Sequence, residues 1–106
     1  MALKKLSSDA FRGETSEGKW VVCFGAQWCV PCKQVEPILE DISEDDDFQG
    51  IGFAKLDIEQ SHDIAREFFI YSVPAILFMN NGSIESMHNG SISKYNLKEK
   101  VVALLK

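Results

Sequence analysis

Several absences bound what this chain of 106 residues can be. It has no cluster of lysine or arginine: 11 basic residues are dispersed among 16 acidic ones, for a net charge of −5. Nucleic acid and anionic membrane surfaces are thereby excluded as the main partner, and proteins or small molecules remain. No apolar run approaches the ~20 residues of a membrane-spanning helix. Lys4 and Lys5 lead into Leu6-Ser7-Ser8-Asp9 rather than into the apolar stretch of a signal peptide, so the expectation is a soluble, unexported, cytoplasmic protein without membrane contact. The chain is poor in breakers, with 7 Gly and 3 Pro, and shows no repeat, low-complexity tract or linker. A single domain over residues 1–106 follows, with a monomer as the expected state. Cysteine is scarce as well. The 3 present are odd in number and too few for a disulfide-stapled scaffold.

What is present is an alternation of strand and helix signals. Ala2–Leu6 suits a short strand, and Ser7 or Ser8 caps a short helix that Gly13 is expected to end. Trp20 to Phe24 is a continuous β-branched and aromatic run ending at Gly25, as in a strand buried on both faces. From Cys32 onward, Val35, Ile38, Leu39 and Ile42 recur on one helical face. Pro37 interrupts that pattern and should kink the helix near Lys33, and the acidic run Glu44–Asp47 should end it in a solvated loop. Ile51–Leu56 is the next strand, and Ser61 caps a helix whose inner face is Ile64, Ala65, Phe68 and Phe69. Ala75–Met79 is another buried strand, joined through Asn80-Asn81-Gly82 to an antiparallel partner, Ser83–His88. Ser93 then caps a last helix with Leu97, Val101, Leu104 and Leu105 inward. This order implies an α/β fold, a mixed sheet with helices on both faces.

The chemistry concentrates at Trp28-Cys29-Val30-Pro31-Cys32-Lys33, where a buried strand gives way to a helix. Two cysteines three apart on a first helical turn can close a small disulfide. The first lies at the helix N-terminus, where free N–H groups and the helix dipole favour a thiolate, the attacking species in disulfide exchange. Cys29 is thus the expected nucleophile and exposed member of the pair, and Cys32 the shielded, resolving one. Pro31 at the second helical position stiffens the turn. A zinc site needs two further ligands, and only Cys23, His62 and His88 remain, without suitable spacing. No metal is expected; both histidines read as surface residues. Two ordinary buried cysteines are the other alternative, but a CxxC at such a junction is the specific context for redox work.

Over nearly its whole length the chain resembles a thioredoxin. Phe24 to Lys33 is similar to that family's active-site segment, and Pro37-Ile38-Leu39 to its kinked helix. Lys55-Leu56-Asp57 matches its central strand, Tyr71-Ser72-Val73-Pro74 its cis-proline loop, and Asn81-Gly82 and Gly90 complete the match. The resemblance implies a five-stranded mixed sheet flanked by four helices, and a dithiol that reduces protein disulfides by cycling through Cys29–Cys32 with no bound cofactor. Pro74 would be cis. Trp28, Val30, Pro31, Val73, Pro74 and Gly90 would form the substrate-binding surface, where an extended segment pairs by strand addition. A flavoprotein thioredoxin reductase drawing on NADPH would recycle the pair, since the chain has no Gly-rich nucleotide fingerprint of its own.

Two positions depart from the family pattern. The strand before the active site usually carries a buried aspartate six residues ahead of the first cysteine; here that residue is Cys23. A thiol in an apolar site has a raised pKa and is a poor base, so Cys23 reads as a small buried hydrophobe, with disulfide exchange with Cys32 or metal ligation as the sharper alternatives. Lys55, which pairs with that aspartate in the family, should lose its partner and turn to water. Cys23 and Lys55 are accordingly candidate modulating residues. Val30 stands where the family commonly has glycine and shifts the redox balance in a direction the sequence does not give, but no histidine separates the cysteines, which favours a reductant. Because the buried acid is missing, a thioredoxin-fold binding module or co-chaperone with slow or vestigial redox activity is the alternative function.

Overall fold

The computed structural model describes residues 3–106; Ala2, the first residue of the expected opening strand, lies outside them. Ten elements follow the expected order. β1 (Lys4–Lys5), α1 (Ser8–Glu14), β2 (Lys19–Gly25) and α2 (Val30–Ser43) are followed by a 3-10 turn (Asp46–Phe48), β3 (Ile51–Asp57), α3 (His62–Glu67), β4 (Ala75–Asn80), β5 (Ser83–Asn89) and α4 (Lys94–Leu104). The five strands form one mixed sheet in the order β1-β3-β2-β4-β5. β1, β3 and β2 are parallel, and β4 and β5 are antiparallel to their neighbours.

The alternation of side chains along a strand sorts this sheet into two layers. In β2, Val21 and Cys23 face α2 and α4 and pack with Val35, Leu39, Ile76, Leu97 and Val101. Val22 and Phe24 face the other side and pack with Phe11 of α1 and Ile64 of α3. All four β2 residues are fully buried, which is why the run reads as continuously apolar rather than alternating. Each large side chain buried this way stabilises the fold by about 1.5–3 kcal/mol. The same two-residue period puts Gly25 and, on β3, Phe53 and Lys55 on the α2 side, the side that bears on function.

Several boundaries differ from the sequence reading. Gly13 lies inside α1, which Ser7 caps through the Ala10 amide at 3.2 Å and which runs on to Glu14. α2 begins at Val30, two residues before Cys32, because Cys29 supplies the cap. Beyond α2 the acidic run is not simply solvated loop. Asp45 caps the turn through the Asp47 amide, and Phe48 anchors it in the core. α3 ends at Glu67, and Phe69 adopts a left-handed backbone (φ 56°) that turns its ring outward, 72% exposed. Ser61 is at the start of α3 but caps it with no side-chain hydrogen bond. Leu105 follows the last turn of α4 and is exposed rather than inward.

Candidate active site

The end of β2 and the start of α2 create the site. Ala26 accepts a hydrogen bond from the Cys29 amide at 3.1 Å, turning the chain out of the strand. Cys29 is the N-cap of α2, and its sulfur accepts from the Cys32 amide at 3.2 Å. A cap sulfur in this position meets free N–H groups and the positive end of a 14-residue helix, both of which favour negative charge on it. Val30 and Pro31 fill the first two helical positions, where the amide that proline lacks would have no helical partner. Cys29 and Cys32 are joined in a disulfide with their Cα atoms 5.3 Å apart.

The expected contrast in exposure within the pair is absent: Cys29 is 3% and Cys32 1% exposed. Both are covered because they form a small apolar cluster with Ala26, against which Ile58 and Val73 pack. The Val73–Pro74 peptide is cis, and the Pro74 carbonyl accepts from the Gly90 amide at 2.8 Å, tying the start of β4 to the end of β5. Around the pair lie the exposed Trp28 and Val30 (63% and 65%) and the exposed Pro31. Of the six expected substrate-surface residues, Val73 packs against the sulfur pair, Trp28, Val30 and Pro31 are exposed beside it in the chain, and Gly90 is tied through its amide to the buried Pro74.

Two acidic residues complete this neighbourhood, and neither was singled out from the sequence. Glu59 accepts the Trp28 indole N–H at 3.0 Å and holds the ring over the junction. Glu36 lies one turn beyond Cys32 and meets Lys55 at 3.4 Å. Lys55 is therefore not turned to water without a partner: the carboxylate absent from β2 is replaced by one from α2. Glu36 stands four residues after Cys32, a spacing that shares a helix face, so its position was open to detection. Glu59 carries no such local signal.

Cys23 is fully buried, directly beside Lys55 across the β2–β3 ladder. Burial pushes its thiol up to about 12; the negative charge of Glu36 acts in the same direction and Lys55 opposes it. It remains a protonated, packing thiol at neutral pH. Among the described residues no group of three His, Cys, Asp or Glu is arranged to hold a metal ion, and no helix is long and apolar enough to cross a membrane.

A thioredoxin family model matches residues 2–103. The chain is 31% identical over 101 residues to a thioredoxin of Bacillus subtilis, covering 95% of this chain and 96% of that one. It is 40% identical over 84 residues to a thioredoxin of Buchnera aphidicola, covering 79% and 77%. Among solved structures, Malassezia sympodialis thioredoxin superposes with a TM-score of 0.90 at 28% identity, covering 100% of this chain and 96% of that one. A Halobacterium salinarum thioredoxin, at 20% identity with a TM-score of 0.88 over 99% of this chain and 92% of that one, shares the fold. With its sheet order, its helix-capping cysteine pair and these relatives in agreement, the chain belongs to the thioredoxin family.

Proposed function

We propose that this thiol–disulfide oxidoreductase reduces protein disulfides with Cys29 as nucleophile and Cys32 as resolving thiol. The observation that carries the assignment of roles is the cap: Cys29, not Cys32, sits at the positive end of α2 with its sulfur on a free amide. The Cys29 thiolate attacks one sulfur of the substrate disulfide and displaces the other, forming a mixed disulfide. Cys32 then attacks Cys29, which releases the second substrate thiol and leaves the Cys29–Cys32 disulfide. Trp28, Val30, Pro31, Val73 and Gly90 provide the apolar rim for a substrate segment, with Pro74 fixing the strand edge. Family membership implies disulfide-bearing protein substrates and a thioredoxin reductase as partners in general. We read that reductase as an NADPH-dependent flavoprotein, the setting as cytoplasmic and the working unit as one copy of the domain.

Turnover of insulin disulfides with NADPH and a thioredoxin reductase tests this reading. Cys29→Ser should abolish reduction, and Cys32→Ser should trap substrate in a mixed disulfide on Cys29. Absence of turnover by the unaltered protein would make the domain a binding module, and a stable mixed disulfide on Cys32 in Cys29→Ser would reverse the roles.

A further inference from the structure

Resolution of the mixed disulfide needs Cys32 as a thiolate, yet Cys32 is almost fully buried among apolar groups, where a thiol holds its proton more tightly. Something must take that proton. Cys23, on the α2-facing side of β2, is itself a protonated thiol and cannot accept one at neutral pH. The geometry points elsewhere. Gly25 follows Cys23 by two residues on the same face of β2, and α2 packs closely over its bare backbone. The point where a Gly25 Cβ would stand is 3.1 Å from Cys32 Sγ and 3.4 Å from Glu36 Oε2. The sulfur and the carboxylate oxygen therefore border one small gap. The other oxygen, Oε1, lies 3.4 Å from Lys55 Nζ, so the ion pair holds the carboxylate with its second oxygen toward Gly25.

The gap opens into a cleft of about 500 Å³ lined by Gly25, Glu36 and Lys55. The other charged groups on its walls are Lys5 from β1, Lys33 from α2 and Asp57 from β3; Asp57 is engaged through Oδ1 with the Glu59 amide at 2.7 Å. A proton taken up by Glu36 thus has a path to water.

We propose that Glu36 is the proton carrier for Cys32, acting from α2 in place of a carboxylate on β2; this rests on the disulfide-exchange reading above. In the resolving step Glu36 accepts the Cys32 proton, directly or across one water. The Cys32 thiolate attacks Cys29 Sγ, the Cys29–substrate S–S bond breaks, and the Cys29–Cys32 bond forms. The electron pair of the broken bond leaves on the substrate sulfur, which takes a proton from solvent while Glu36 returns its own through the cleft. In the reductive half-cycle the order reverses, and Glu36 supplies the proton that Cys32 regains. Lys55 positions the carboxylate.

The resolving step can be isolated with Ellman's reagent. Reduced protein releases one thionitrobenzoate when Cys29 attacks and a second when Cys32 displaces the adduct, so the second release measures resolution across a pH series. For Glu36→Gln, which keeps shape and loses the acceptor, we expect resolution slower by on the order of 10² at neutral pH, with a rate that climbs with pH where the unaltered protein has levelled off. Adding Cys23→Asp to Glu36→Gln should recover part of the rate by returning a carboxylate to the α2-facing side of β2. Resolution by Glu36→Gln at the unaltered rate overturns the proposal, as does a slowed rate with an unchanged pH profile, which would indicate a structural role only. Failure of the unaltered protein to reduce insulin is a separate result and would remove the underlying reading instead.

Discussion

Cys23 and Lys55 sit side by side across the β2–β3 ladder, and Glu36 from α2 acts on both. Cys29 and Cys32 were legible because their chemistry is local: spacing, a helix start and a cap are all sequence properties. Cys23 was legible in part, since a thiol inside a buried run must be a weak acid wherever it packs. The structure makes this quantitative. Its thiol is raised from an ordinary 9.0 to about 12 by burial and by Glu36. The folded-state value lies above the unfolded one, so between those pH values the folded protein keeps a proton that the unfolded chain has lost. The stability this group contributes is complete below pH 9 and is lost as the pH rises toward 12. Urea unfolding at pH 8 and pH 10 should therefore show a decline that Cys23→Val reduces by about 1 kcal/mol; parallel declines in the two proteins would contradict it. Lys55 was misread for the opposite reason. Its partner comes from another element, and no reading of β3 alone reveals what α2 carries above it.

At the scale of elements, hydrophobic period and turn chemistry were the reliable signals. The hairpin between β4 and β5 is a two-residue turn in which Asn81 (φ 50°) and Gly82 (φ 86°) both take left-handed backbone, the pairing that Asn-Gly favours. Asn81 also binds Gly18 twice, its amide to the Gly18 carbonyl and its side-chain oxygen to the Gly18 amide, both at 2.8 Å. Gly82→Ala should cost about 1–2 kcal/mol, because a Cβ at positive φ meets the following carbonyl. Equal urea midpoints for the two proteins would show that the turn relaxes. Boundaries were less legible. Phe69 continues the apolar spacing of α3, but the helix stops two residues before it because the chain must turn toward the cis-proline loop, and the ring that would have been inward is exposed. α2 likewise starts early because Cys29 caps it, so the active-site residue also sets the boundary of its own helix.

At the scale of the whole molecule, the two apolar layers lock α2 onto the sheet, and with it the cysteine pair. The disulfide closes a loop of only four residues within an otherwise complete core. Loop-closure entropy for that length predicts an oxidised form more stable than the reduced one by roughly 2 kcal/mol, or roughly 10 °C in Tm for a domain of this size. Thermal unfolding of both forms checks this. By the thermodynamic cycle, a disulfide that stabilises the fold is correspondingly hard to reduce, which suits a reductant; a reduced form of equal or greater stability would argue for an oxidant. The sequence by itself determined the alternation of strands and helices, the layer each strand residue faces, the turn at Asn81-Gly82 and the pair Cys29–Cys32, because each follows from period, backbone preference or local spacing. Only the tertiary structure decided which charged groups meet around that pair. Glu36 and Lys55 lie 19 positions apart, and the approach of Glu36 and Cys32 over the bare backbone of Gly25 depends on how closely α2 packs on the sheet. Thus the cysteines that exchange electrons could be read from the chain, whereas the carboxylate proposed to move their proton emerged only from the packing.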